Sequence, residues 1–271
     1  MNTLKRTDGY ARSVAVAALL TVGGILMSQL LTLPAILAEP GLIDEPTQTS
    51  YEIRSLFFIL NFAGFVVAGA AYLWWTDRGW SFVDLSTPDR RGWLIGVAGV
   101  VASIAFVILV GLLFQGLGIE STSNSVLDFV GTDSTMVLIM IVIVFLFNAP
   151  AEEFLFRGVI QKRLYEGFTK TQAVVLTSVI FGLVHIPNFA LSGAPMMAAV
   201  ASLLVVTGGS IIFGYLYAIT DNLLVPITAH AMFNAFQFGQ LYLIFEYGDE
   251  EMIEEVTSGT AMVLEVATTL G

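Results

Sequence analysis

Six stretches of this chain carry no Asp, Glu, Lys or Arg: Ser13–Ala38, Ser55–Thr76, Gly92–Ile119, Ser134–Ala151, Thr171–Thr220 and Asn222–Phe245. About 20 predominantly apolar residues cross a bilayer as a helix, so runs of this kind predict an all-α, polytopic transmembrane helix bundle. The fifth run has 50 residues, about 75 Å as a helix at ~1.5 Å per residue, too long for one crossing. Pro187-Asn188 and Ser192-Gly193-Ala194-Pro195 form a turn cluster inside it. Division there gives seven spans in total. The tail Ser258–Leu264 is too short to cross and has acidic neighbours, which suits a peripheral helix. The first run exceeds the ~7–15-residue core of a secretory signal and lacks a small-x-small exit, so it reads as an uncleaved anchor. Residues 1–271 read as a single integral membrane domain.

Composition excludes the alternatives. The chain is 56% hydrophobic and 12% charged, against roughly 45–50% and about 25% in soluble domains. A soluble enzyme or a disordered tail does not fit. The net charge of −11 argues against nucleic acid as a partner. Without cysteine, disulfides, iron–sulfur ligation and thiolate chemistry are impossible. The partner that remains is the lipid bilayer.

Basic residues set the expected orientation. With the N-terminus cytoplasmic, the inner segments hold Lys5, Arg6, Arg12, Arg78, Arg90, Arg91, Arg157, Lys162, Arg163 and Lys170, and the outer ones only Arg54. Trp74, Trp75, Trp80 and Trp93 flank the first inner loop as interface anchors. Gly208, Gly209 and Gly214 read as close-packing positions.

Ionisable groups at membrane depth are costly and point to function. Glu152 and Glu153 close the fourth run, and the only two histidines, His185 and His230, both lie inside apolar runs. Asn234 follows His230 by one helical turn. If the fourth helix continues to Lys162 and Arg163, Glu152 lies about 15 Å from the inner face, His230 about 12 Å and His185 about 21 Å. All three then share one layer. Glu153 and Arg157 are i,i+4 neighbours able to form an ion pair, which leaves Glu152, about 100° around the helix, free for chemistry. Phe181 stands one turn before His185. Pro150, Pro187 and Pro226 accompany the three sites. Bends at these prolines suggest a wet cavity, where broken backbone is tolerated.

A carboxylate, two imidazoles and an amide around one cavity suit hydrolysis. Glu152 can take a proton from water, one histidine can hold that water, and the other, with Asn234, can donate to a developing oxyanion. Glu152, His185 and His230 are equally a possible zinc set, with water in the fourth position. Spacing does not decide between the two. Buried Glu and His also mark proton-coupled transporters, although the chain lacks the duplicated half that many transporters show.

Glu152-Glu153-Phe-Leu-Phe-Arg157, Phe181-Gly-Leu-Val-His185 and His230-Ala-Met-Phe-Asn234 resemble the hallmark motifs of the CAAX protease and bacteriocin-processing (CPBP, or ABI) intramembrane proteases, which include the type-2 CAAX prenyl endopeptidases. The likeness covers roughly residues 134–246, the motif-bearing helices. It implies Glu152 as the water-activating base, His185 as its water-positioning partner, His230 and Asn234 as oxyanion stabilisers, and Glu153 with Arg157 as a supporting pair. It also implies a membrane-anchored protein or peptide substrate, prenylated in the CAAX branch and cleaved at the cytoplasmic side. Members typically have about eight spans. Some act in bacteriocin immunity or as scaffolds rather than as enzymes. They are commonly called metalloproteases, yet the glutamate-and-water description needs no metal.

Overall fold

The structure, a computed structural model, describes residues 9–118, 126–187 and 196–258. Among these residues it is helical without strands, an all-α membrane bundle. Its principal helices are α1 (Tyr10–Ala38), α2 (Tyr51–Trp75), α3 (Arg90–Gly116), α4 (Ser134–Leu164), α5 (Lys170–Val184), α6 (Met196–Thr220), α7 (Leu224–Tyr247) and α8 (Glu250–Ser258). Five of them, α1, α2, α3, α4 and α6, are long and apolar enough to cross a membrane. The 15-residue α5 is shorter, and α7 carries the polar His230, Asn234, Gln237 and Gln240. Each of the seven expected spans therefore corresponds to a helix, while length and apolarity qualify five. The proposed turn cluster beyond Pro187, the tail beyond Ser258, and Lys5 and Arg6 lie outside the described residues.

Helix starts follow local chemistry. Ser50, Asp89 and Asp133 accept hydrogen bonds from the first-turn N–H groups of α2, α3 and α4, and Thr169 with Gln172 forms a capping box on α5. Such side chains satisfy donors that a helix leaves unpaired. α1 and α2 meet at backbone distance. A β-carbon on Gly64 would fall 2.3 Å from the Ser28 nitrogen, and the Ser28 hydroxyl donates to the Asn61 carbonyl at 2.6 Å. Small residues permit this approach where lipid supplies no hydrophobic drive between helices.

α4 is the hub. Every residue from Ala151 to Gln161 is buried, as expected of a helix surrounded by others. Around its second half lies a core of Phe65, Leu155, Phe156, Ile160, Phe181 and Tyr217. Its first half joins a second core of Phe58, Met136, Met140, Leu241 and Ile244. The candidate site lies between the two. Outward-facing side chains are apolar, for example Leu19 at 72% and Val97 at 62% exposure, a surface suited to lipid. Trp74 and Trp75 are 86% and 87% exposed, in keeping with interface anchors.

Two expectations need correction. Arg157, counted among the inner charges, is fully buried within α4, so its charge is held by the protein and carries no orientation signal. Pro226 does not bend a helix: it stands in the first turn of α7, where its missing N–H costs nothing. Pro150 does perturb its helix. The preceding turn widens to π geometry over Val144–Asn148, with the Ala149 N–H bonded to the Val144 carbonyl, and a second π segment spans Phe154–Gln161. Insertions of this kind recur at functional sites.

Candidate active site

The π turn and Pro150 set the phase of α4 so that Asn148, Glu152, Glu153 and Arg157 all point into the bundle, each at most 9% exposed. The Asn148 amide donates from Nδ2 to Glu152 Oε1 at 2.9 Å, and its Oδ1 accepts from Asn234 Nδ2 on α7 at 2.8 Å. Glu152 is therefore not left without partners, as the i,i+4 pattern suggested. One oxygen is fixed by Asn148, and the other, Oε2, faces His230 Nε2 at 3.9 Å.

Glu153 Oε1 serves two partners. Arg157 Nη1 donates to it at 2.9 Å and His230 Nδ1 bonds it at 2.8 Å. Arg157 Nη2 donates to the carbonyl and hydroxyl of Ser210 on α6, at 3.0 and 2.8 Å. Its guanidinium lies 5.1 Å from the Phe181 ring, and the His230 ring stacks on Phe213 at 4.7 Å with an interplanar angle of 17°. The supporting pair thus does more than neutralise itself: it locks α4 to α6 and holds one face of the histidine on α7.

The geometry assigns the two nitrogens of His230 different tasks. With Nδ1 donating to a carboxylate, Nε2 is the atom left toward Glu152, an acceptor in the neutral ring and a donor in the doubly protonated one. A water oxygen can reach Glu152 Oε2 and His230 Nε2 together, since two hydrogen bonds of ~2.8 Å span more than their separation.

His185 stands apart from this cluster. It follows the last residue of α5 as its C-cap, half-buried, rather than lying inside a span. Pro187 explains the ending, because it has no N–H to offer the Leu183 carbonyl. His185 Nδ1 bonds the Phe181 carbonyl at 2.8 Å, and its ring lies 4.7 Å from the Phe181 ring. Phe181 is the intermediary between His185 and Arg157. Among the described residues no three His, Asp or Glu gather to hold a metal ion, so Glu152, His185 and His230 do not fit a zinc set in this arrangement.

Asn148, Ser210 and Phe213 were not singled out as site residues by the sequence. Asn148 had a signal, a polar residue one turn before Glu152 in an otherwise apolar run. Ser210 and Phe213 had none. Of the three glycines, Gly208 and Gly214 are close-packed, against Phe106 and against Gln161 with Val174, while a β-carbon on Gly209 would meet nothing within 4 Å.

A family model described as type II CAAX prenyl endopeptidase Rce1-like matches residues 134–236, the stretch that contains all three motifs. The motif-bearing part of the chain is therefore similar to this CAAX protease family. A relative in Bacillus subtilis (strain 168), "Putative membrane peptidase YdiL", is 32% identical over 139 residues, 51% of this chain and 48% of the relative. The chain thus spans about half the length of the curated relative it matches. No solved structure matches. The Rce1-like stretch runs from the start of α4 into α7, so it includes every residue of the cluster and leaves α1, α2 and α3 outside it.

Proposed function

We propose that this chain is an intramembrane endopeptidase that hydrolyses a peptide bond in membrane-anchored, CAAX-like substrates, prenylated ones among them. The observation that carries the reading is the opposition of Glu152 Oε2 and His230 Nε2 at 3.9 Å, each held from behind by a separate buried partner. Glu152 accepts a proton from a water in that gap as the water oxygen attacks the scissile carbonyl. A proton on His230 Nε2 can be donated in a hydrogen bond to the resulting oxyanion, and the second N–H of the Asn234 amide is a further donor. Glu152 then returns its proton to the leaving amine. Donors fixed before reaction cost no reorganisation in the transition state, which is the task of Glu153, Arg157 and Asn148 here. His185, which the family likeness makes the water-positioning partner, reaches the cluster in this reading through Phe181.

The reading further holds that the N-terminus is cytoplasmic, that the chain crosses seven times as one membrane domain, and that the site opens to the cytoplasmic side. Without Arg157 the basic bias is still nine inner residues against one outer. The test uses purified protein in lipid nanodiscs with farnesylated and unprenylated membrane-anchored peptides. Cleavage by wild type and its loss in Glu152→Gln are expected; equal rates in the two proteins would remove Glu152 as the base. Cleavage should survive exhaustive chelation. Loss on chelation that zinc restores would instead bring His185 into a metal set.

A further inference from the structure

Six buried side-chain atoms have no hydrogen-bond partner among the described residues: Arg54 Nε, Glu153 Oε2, Arg157 Nε, Gln161 Oε1, Thr177 Oγ1 and Ser178 Oγ. Five of the six belong to one seam. Glu153, Arg157 and Gln161 recur every four residues along α4 and are fully buried. Arg157 is tied to Ser210 and Gln161 to the Gly214 carbonyl, at 2.9 Å, both on α6. On α5, Val174 sits beside Gln161: a β-carbon on Gly214 would be 3.0 Å from both Gln161 Oε1 and Val174 Cγ1. One end of the facing strip is therefore Val174, and the other is Phe181, whose ring lies against Arg157. Thr177 and Ser178 are three or four residues from each, on the same face of α5. Helical spacing thus sets both buried hydroxyls between the residue beside Gln161 and the residue beside Arg157.

The chemistry of the five atoms selects their occupant. Arg157 Nε can only donate, the oxygens of Glu153 and Gln161 can only accept, and the two hydroxyls do both. A cation is refused by Arg157, an anion by Glu153, and an apolar group would leave all five unpaired. Water both donates and accepts, and buried water typically makes about three hydrogen bonds to groups of this kind. We propose that the seam between α4, α5 and α6 is an internal hydration site, a short file of ordered water joining Arg157 to Gln161 through the Thr177 and Ser178 hydroxyls. Gln161 Nε2 donates to Tyr165 Oη at 2.7 Å, which carries the polar line to the end of α4. The file solvates the remote sides of Glu153 and Arg157 and so keeps their shared carboxylate aligned on His230. It does not depend on the peptidase reading.

Two measurements test it. An experimental structure of the wild-type protein at a resolution that shows ordered solvent should place water within hydrogen-bond distance of Arg157 Nε and of Thr177, Ser178 or Gln161. In solution, Thr177→Val/Ser178→Ala should unfold several degrees below wild type, because the apolar variant strands the waters and the atoms they serve. A seam closed by direct protein contacts overturns the proposal. So does a double variant that melts at or above the wild-type temperature, the behaviour of two hydroxyls buried dry.

Discussion

Replacing Arg157 by Met removes one partner of an ion pair whose side chains are 1% and 0% exposed. The Glu153 carboxylate stays buried with His230 as its remaining side-chain partner, and Ser210 loses both contacts from the guanidinium. Breaking a buried pair from one side costs about 3–5 kcal/mol. For a chain of this size ~1 kcal/mol moves the unfolding midpoint by roughly 2–4 °C, so the expected drop is about 6–20 °C. Glu153→Leu/Arg157→Met removes both charges. Its remaining cost is His230 Nδ1 and Ser210 without partners, about 1–3 kcal/mol for each such group, offset by the desolvation no longer incurred. The double variant should therefore recover a substantial part of the loss, a coupling that a double-mutant cycle isolates. Tryptophan fluorescence during heating of the purified protein in one detergent provides the readout for all four proteins. If the double variant melts as low as the sum of the two singles, the pair does not act as a buried charge unit and the reasoning fails.

Asn148→Leu is isosteric but can neither orient Glu152 nor accept from Asn234; peptide cleavage should slow on the order of 10²-fold in kcat with little change in KM, and a loss confined to KM would make Asn148 a substrate contact instead. Gly64→Val forces a side chain against the Ser28 backbone and should destabilise by about 3 kcal/mol, read as a lower melting temperature; an unchanged midpoint would mean α1 and α2 separate easily. Partial burial pushes the Asp133 carboxyl up, but the Tyr51 hydroxyl, the Met136 and Thr135 N–H groups and Arg54 together hold it below its usual value. Its cap on α4 is therefore intact at neutral pH and is lost as pH falls below about 4, through the depressed value. Asp133→Asn should flatten stability over that acidic interval, and an unchanged pH profile would refute the assignment.

Much of this protein was readable one helix at a time. Uncharged runs marked the helices from α1 to α7, because the bilayer demands an apolar stretch of defined length and nothing else in the fold does. The contacts Glu153–Arg157 and Phe181–His185 followed from i,i+4 spacing, since the helix itself brings those side chains together. Asn148–Glu152 obeys the same rule, although spacing alone does not distinguish an amide that orients a carboxylate from one that joins helices. The run stays apolar past His185, yet Pro187, with no N–H for the Leu183 carbonyl, makes His185 the turn between α5 and the helical residues that follow it.

The pairings between helices were not encoded in any spacing. Glu153 with His230, Asn148 with Asn234 and Arg157 with Ser210 lie 77, 86 and 53 residues apart, and their register depends on how α4, α6 and α7 slide and rotate against one another. Interlocking volumes contribute to it: Gly214 of α6 lies beneath Gln161 of α4 and Val174 of α5, and Gly208 of α6 beneath Phe106 of α3. Periodicity along a chain reports which face of a helix is buried, not which residue of another helix it will meet. The sequence alone thus determined a membrane-embedded α-helical protein that carries an acid and two histidines in motifs similar to those of the CAAX proteases. The tertiary structure decided which carboxylate oxygen each partner takes, because a hydrogen bond between helices exists only once packing has set their axial positions.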